Sequence, residues 1–197
     1  MQIDRLVLGE LATNCYIVTG TENRAVVIDP AAKGEQLALF LRERKLTLDA
    51  IFLTHAHFDH MGGLRALVQE TGAPVYLHAA DEAIIAQMTH GRMTDTYTPY
   101  GESVSAAGVM FRVLHTPGHS PGSVCLLAED TLFTGDTLFA GTCGRTDLPG
   151  GSWEEMQRSM ALLSALPGSF DVLPGHGETS TLQSEREFNP YLRGNGV

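Results

Sequence analysis

Short apolar runs alternate with turn-rich stretches along the chain, and their spacing predicts most of its elements. Residues 3–8, 15–19 and 25–28 have the length and β-rich composition of strands. Residues 35–45 carry apolar side chains at helical spacing, and SWEE at 152–155 matches a capping box that opens a helix ending near Pro167. The pattern also predicts strands at 50–53, 75–78, 109–115, 123–128, 131–133 and 171–173, helices at 60–72 and 81–90, and a loop over 97–107.

Strands fill both halves of the chain and helices are interspersed, which is typical of an α/β fold with sheets covered by helices. The sequence contains no linker, low-complexity segment or clear repeat, so we expect a single domain over residues 1–197. A hydrophobic content of 43% and a charged content of 18% are ordinary for a globular protein.

Charge and composition exclude several classes of function. A net charge of −10 argues against a nucleic-acid partner, which needs clustered Lys and Arg. The chain has no apolar run near the roughly 20 residues of a membrane helix and no N-terminal signal-peptide pattern, so we expect no membrane partner and a cytoplasmic location. Cys15, Cys125 and Cys143 do not form a disulfide framework, and the first two are expected to be buried. Oligomeric state stays open.

Histidines and aspartates recur where predicted strands end, in glycine-rich loops. THAHFDH follows the strand 50–53, TPGHS the strand 109–115, TGDT the strand 131–133, and PGHG the strand 171–173. Such loops converge when their strands share a sheet, and imidazole and carboxylate groups are ligands of zinc, iron and manganese. Seven ligands are too many for one tetrahedral zinc and suit two ions that share a bridging carboxylate. These candidates are His55, His57, Asp59, His60, His119, Asp136 and His176.

THAHFDH, TPGHSPGSV, FTGDTLF and LPGHG together resemble the motifs of the metallo-β-lactamase superfamily, and GDTLFAGTCGRTDLPGGS resembles its short glyoxalase II-like hydrolases. The resemblance implies an αββα sandwich, with two mixed sheets flanked by helices. It also implies two divalent metal ions, with zinc preferred and iron or manganese possible. His55, His57 and His119 would bind the first metal, while Asp59, His60 and His176 would bind the second and Asp136 would bridge them.

Other residues of this chain are expected to support the site. Asp29 resembles a family aspartate that supports the metal loops, and Gly62 and Gly63 would permit close backbone approach to the site. The family's lysine after a Cys-Gly pair is Arg145 here, and the tyrosine two positions later is Asp147.

The loop 141–151 has two open interpretations. Cys143, Arg145 and Asp147 would line the substrate site, with Arg145 holding a carboxylate bidentately, or the Arg and Asp would pair in a surface turn. Full-length glyoxalase II enzymes also carry a C-terminal helical region that helps hold glutathione. We expect this chain to lack that region.

The predicted activity is hydrolysis of a small-molecule thioester by a metal-bound hydroxide. S-D-lactoylglutathione, giving D-lactate and glutathione, is the first candidate substrate. Asp59 would orient the nucleophile and Asp136 would bridge the metals. A thiolate, with a thiol pKa of about 8.5, leaves without a proton donor, whereas an amide nitrogen needs one. The alternatives are a persulfide dioxygenase with one iron, a lactonase, or a metal-binding protein without catalysis, and a nuclease is disfavoured by charge.

Overall fold

The computed structural model describes residues 1–90 and 97–193. The strands of its first half are β1 Gln2–Leu8, β2 Thr13–Thr19, β3 Arg24–Ile28, β4 Thr47–Phe52, β5 Val75–Leu77 and β6 Tyr97–Pro99. The later strands are β7 Ser103–Ala106, β8 Val109–His115, β9 Val124–Ala128, β10 Thr131–Gly135, β11 Leu138–Phe139, β12 Thr142–Cys143, β13 Asp171–Pro174 and β14 Ser180–Thr181. The helices are α1 Gly34–Glu43, α2 Phe58–Met61, α3 Leu64–Thr71, α4 Glu82–Thr89, α5 Trp153–Ser164 and α6 Leu182–Phe188, with a 3-10 turn at Ala79–Asp81.

Two six-stranded sheets form the centre of the fold. The first has the order β1-β2-β3-β4-β5-β6 and the second the order β14-β13-β10-β9-β8-β7. The first pairs antiparallel from β1 to β3 and parallel from β3 to β6, and the second is antiparallel except for the parallel pair β10 and β13. The expected pair of mixed sheets is therefore confirmed.

Alternating side chains divide the interior into three layers. In β2, Tyr16 and Val18 point into the core between the two sheets, whereas Cys15 and Ile17 join a core with α1 and α3. Strand side chains alternate between faces with period two, so one apolar strand serves both layers. A third core packs the second sheet against α5 and α6. Helices thus cover both outer faces, which confirms the expected αββα sandwich.

Several predicted boundaries are corrected. The expected loop over 97–107 is wrong because it contains β6 and β7, which pair with β5 and β8. The single helix expected over 60–72 is two helices, α2 and α3, divided at Gly62 and Gly63. A Cβ at Gly62 would strike Ala31 O, and one at Gly63 would lie 2.7 Å from Ala32 O. These glycines therefore allow the backbone between α2 and α3 to approach the loop after β3. The expectation that they bring the backbone close to the site is corrected.

Other features follow the sequence closely. Ser152 caps α5 by accepting a hydrogen bond from Glu155 N at 3.3 Å, and Cys15 and Cys125 are buried. No helix within residues 1–90 and 97–193 is both long and apolar enough to cross a bilayer. The expectation of one domain over 1–197 includes 91–96 and 194–197, which lie outside the described residues, and it stays a prediction.

Candidate metal centre

The seven candidate ligands come from loops that meet at one edge of the sandwich. Those of THAHFDH lie after β4 in the first sheet, and the others lie after β8, β10 and β13 in the second sheet. A backbone hydrogen bond from Asn14 N to Gly175 O, 2.7 Å long, also ties the start of β2 to the loop after β13. The convergence therefore depends on the packing of both sheets.

The side chains form two triads. His55, His57 and His119 offer ligand atoms within 4.8 Å of one another, and so do Asp59, His60 and His176. Asp136 lies between the triads. Its Oδ1 is 3.3 Å from His60 Nε2 and its Oδ2 is 3.5 Å from His119 Nε2.

Hydrogen bonds on the outer side of the cluster orient the imidazole rings. His119 Nδ1 donates to Arg145 O at 2.8 Å and His176 Nδ1 donates to Leu11 O at 3.1 Å, so each Nε2 points into the cluster and would present a lone pair there in the neutral ring that binds metal. His57 Nδ1 lies 2.8 Å from that His119 Nε2. The buried His55 Nε2 has no hydrogen-bond partner among the described residues. Converging imidazole nitrogens, one of them buried without a partner among the described residues, fit a bound cation.

Asp29 contacts the second triad as expected for a supporting residue. Its carboxylate accepts hydrogen bonds from Thr54 N at 2.8 Å and from Thr54 Oγ1 at 2.7 Å. His60 Nδ1 donates to Asp29 Oδ2 at 2.9 Å. Thr54 Oγ1 also lies 3.1 Å from His55 Nδ1, so Asp29 reaches a ring of the first triad through one hydroxyl.

A second supporting carboxylate, Asp81, was missed by the sequence analysis. It is fully buried and accepts hydrogen bonds from Ala56 N at 2.9 Å, Ser120 Oγ at 2.8 Å and Gly122 N at 2.6 Å. Ala56 lies between His55 and His57, and Ser120 follows His119. Asp81 therefore joins the two loops of the first triad. Its sequence signal, an aspartate before a helix, is equally typical of an ordinary helix start.

Burial and charge set the protonation of the cluster. Burial, together with neighbouring imidazoles, lowers the pKa of His55 well below its usual value and also lowers the pKa of His57. Burial acts against the charged form of His60, but the carboxylates of Asp136 and Asp29 outweigh it and raise the His60 pKa. Burial likewise opposes ionisation of Asp59, yet the hydrogen bond from His176 and the charge of His60 bring its pKa to about 2.

A cavity of about 660 Å³ opens over the cluster. It is lined by Leu11, His57, Phe58, Asp59, Ile84, Gln87, Met88, His119, Asp136, Phe139, Arg145, Leu148, Pro149 and His176. Five of these residues are candidate ligands, and most of the others are apolar. The cluster can therefore meet a small molecule bound in the cavity.

The three expected substrate-binding residues differ in their placement. Arg145 lines the cavity, but its guanidinium is paired bidentately with Asp147, with Nε to Oδ1 at 2.6 Å and Nη2 to Oδ2 at 2.7 Å. Asp147 is exposed and does not line the cavity. Cys143 lines a neighbouring depression with Trp153 and Tyr191, because β12 packs its side chain against the core beneath α5 and α6. Burial raises the pKa of Cys143 to about 11.

Comparison with known proteins gives consistent results. Residues 8–176 match the family model described as the metallo-beta-lactamase superfamily. The hydroxyacylglutathione hydrolase GloC of Haemophilus influenzae is 30% identical over 98% of this chain and 98% of its own length.

Solved structures are similar over nearly the whole chain. The BLEG-1 B3 metallo-beta-lactamase is 36% identical with a TM-score of 0.88, covering 97% of this chain and 99% of that one. TTHA1623 in a di-iron-bound form is 37% identical with a TM-score of 0.84, covering 95% and 99%. ETHE1 from Myxococcus xanthus is 30% identical with a TM-score of 0.84, covering 98% and 85%.

Proposed function

The chain belongs to the metallo-beta-lactamase superfamily, and from its site we propose that it hydrolyses thioesters, with S-D-lactoylglutathione as the first substrate to test. Its relatives include a hydroxyacylglutathione hydrolase, which supports a hydrolytic enzyme. The observation that carries the proposal is the pair of ligand triads sharing Asp136 beneath an open cavity.

His55, His57 and His119 would hold one divalent cation, while Asp59, His60 and His176 would hold a second. Asp136 would contact both, since its Oδ2 lies 3.5 Å from His119 Nε2 of the first triad and its Oδ1 lies 3.3 Å from His60 Nε2 of the second, with His176 Nε2 3.6 Å from Oδ2. Zinc is our first choice of metal, and the di-iron-bound form of TTHA1623 supports iron as another. Cations bound there would act as Lewis acids on a carbonyl oxygen and lower the pKa of water.

The residues around the cluster favour a leaving group that needs no proton. Apart from the proposed ligands, Arg145 is the single ionisable side chain among the described residues that line the cavity. An arginine keeps its proton at any ordinary pH and cannot act as a general acid. A thiolate can leave unprotonated, whereas an amide nitrogen cannot. This supports a thioester above a β-lactam or peptide.

Asp59 would orient the attacking water. Its Oδ2 lies 3.1 Å from His176 Nε2 and accepts a hydrogen bond from Thr13 Oγ1 at 3.2 Å. The carboxylate also lines the cavity and stays ionised, because its pKa is about 2. It can therefore accept a hydrogen bond from an attacking water and fix its orientation.

The direct test uses protein whose metals have been counted, loaded with zinc, iron or manganese. We expect hydrolysis of S-D-lactoylglutathione that stops on chelation and returns when metal is restored. Loss of thioester absorbance measures the rate. Absence of turnover with both sites filled would contradict this substrate. The same protein tested on a chromogenic cephalosporin and on a homoserine lactone separates the β-lactamase and lactonase alternatives.

An iron-dependent persulfide dioxygenase is the second candidate. The similarity to ETHE1 favours keeping it. It predicts thiol-dependent oxygen uptake by protein that holds one iron per chain. Oxygen uptake without thioester hydrolysis would replace the hydrolase by this activity.

A further inference from the structure

The cavity over the ligand cluster is walled by apolar side chains that solvent reaches. Leu11, Phe58 and Met88 are exposed by 54%, 60% and 40%, and all three line the cavity. They come from the β1–β2 turn, α2 and α4, so the fold and not one apolar run brings them together. Clustered, solvent-exposed apolar side chains mark places where apolar ligands bind.

The same cavity offers little to a highly charged ligand. Arg145 is the one cation besides the proposed ligands among the described lining residues, and a ligand carboxylate would have to displace Asp147 to pair with it. A glutathione thioester carries two carboxylates and one ammonium group. Two of those charges would therefore have to stay in water or find partners outside the cavity. An uncharged apolar chain meets matching surface at Leu11, Phe58, Ile84 and Met88.

We propose that the preferred substrates are thioesters with an apolar acyl chain of about four carbons or more. The acyl chain would lie along a wall formed by Phe58, Ile84 and Met88. Ile84 and Met88 are four residues apart and so share one face of α4. In the reaction, a water oxygen bonds to the acyl carbon and the carbon–sulfur bond breaks. The sulfur keeps the electron pair and takes up one of the two water protons, giving a thiol, while the other proton is released to solvent and the acyl product is a carboxylate. This inference rests on the proposed thioester hydrolysis and specifies its acyl group.

A substrate series with one fixed thiol tests the proposal. N-acetylcysteamine is small and uncharged, and it can carry lactoyl, acetyl, butanoyl or hexanoyl groups. A methylene fully removed from water gains about fourfold in affinity, and one lying against an open wall gains about twofold. We therefore expect kcat/KM to rise at least about tenfold from acetyl to hexanoyl, with lactoyl below hexanoyl.

The possible outcomes distinguish the apolar-acyl preference from the proposed thioester hydrolysis. Hydrolysis with a flat or falling dependence on chain length would overturn the apolar-acyl preference and leave thioesterase activity standing. Faster turnover of lactoylglutathione than of the hexanoyl thioester would also overturn the preference. Absence of turnover with every thioester would contradict both. Calorimetric titration of the zinc-loaded protein adds a readout without turnover, since hexanoate should bind at least about tenfold more tightly than acetate.

A matched pair of variants tests where the acyl chain of the substrate binds. Met88→Gln keeps the length and helix propensity of the side chain but makes the wall polar. It should reduce the hexanoyl-to-acetyl ratio of kcat/KM about threefold. Leu162→Gln is the control, because Leu162 is 41% exposed on α5 and does not line the cavity. Equal hexanoyl-to-acetyl ratios in the two variants and the parent would show that the acyl chain binds elsewhere and would refute the proposed wall.

Discussion

Asp81→Asn tests whether a buried carboxylate outside the ligand set holds the first triad together. Asp81 Oδ2 accepts from Ala56 N and Ser120 Oγ, and Oδ1 accepts from Gly122 N. An asparagine keeps the shape but turns one oxygen into an NH₂ donor. At least one N–H then faces another donor, and the remaining hydrogen bonds lose their charge assistance.

The expected cost follows from those contacts. A hydrogen bond to a charged group contributes about 1.5–3 kcal/mol, and a buried donor left unpaired costs about 1–3 kcal/mol. We expect Asp81→Asn to lower the free energy of unfolding by about 2–4 kcal/mol. A typical protein has about 5–15 kcal/mol in total, so the variant should still fold. Chemical denaturation of metal-free protein measures this loss.

The effect on metal binding is the specific part of the prediction. Changes to groups that orient ligands commonly reduce metal affinity about 10–100-fold. Asp81 joins the loops of His55, His57 and His119 but makes no hydrogen bond to Asp59, His60 or His176. We therefore expect one of two metal equivalents to weaken by that factor in chelator competition, while the other keeps its affinity.

A control separates this from general destabilisation. Asp49 is also a nearly buried carboxylate, and it accepts from Ala107 N at 2.7 Å and pairs with Arg24 away from the cluster. Asp49→Asn should lose stability and keep both metals. If Asp81→Asn instead holds both metals as tightly as the parent, or loses both equally, Asp81 does not position the first triad.

Four further predictions concern the site. Asp136→Ala should abolish turnover and lower the metal content measured by elemental analysis, because one carboxylate contacts both triads; unchanged activity would remove it from the bridging position. Arg145→Ala should raise KM for anionic thioesters more than it lowers kcat, with the exposed Arg158→Ala as control, and an unchanged KM would leave Arg145 as a surface ion pair. Gly175→Ala should reduce metal content, since its Cβ would strike Asp136 Oδ1 and lie 2.7 Å from His60 Cε1; full metal content would show that the loop can shift. In metal-free protein the carboxylates of Asp136 and Asp29 raise the His60 pKa. Protonated His60 therefore stabilises the fold fully below about pH 6.5, and this stabilisation is lost as the pH rises through the His60 pKa of the folded protein. The free energy of unfolding should fall as the pH rises above about 6.5, and the fall should be smaller in His60→Gln. Equal pH dependence in the parent and in His60→Gln would contradict the ion pairs with Asp29 and Asp136.

Local signals in the sequence were sufficient for most elements and for an α/β fold, whereas the αββα sandwich was implied by the family resemblance. Val109–His115 has the predicted bounds, and the capping Ser152 lies where the sequence placed it. These features depend on alternation, turn residues and caps, which act between neighbours in the chain. The loop prediction for 97–107 failed because β6 and β7 are short edge strands whose partners, β5 and β8, are defined only by the sheets.

The sequence also determined which residues could bind metal, because histidines and aspartates clustered after strands have a recognisable pattern. The tertiary structure decided what surrounds them. Asp81 reaches loops 25 and 39 residues away, and Cys143 turns into a core that β12 shares with α5. The apolar wall combines Leu11, Phe58 and Met88, which no local pattern connects. Contacts between distant segments arise only when both sheets pack, and so the ligand types are local information whereas their support and the shape of the cavity are not.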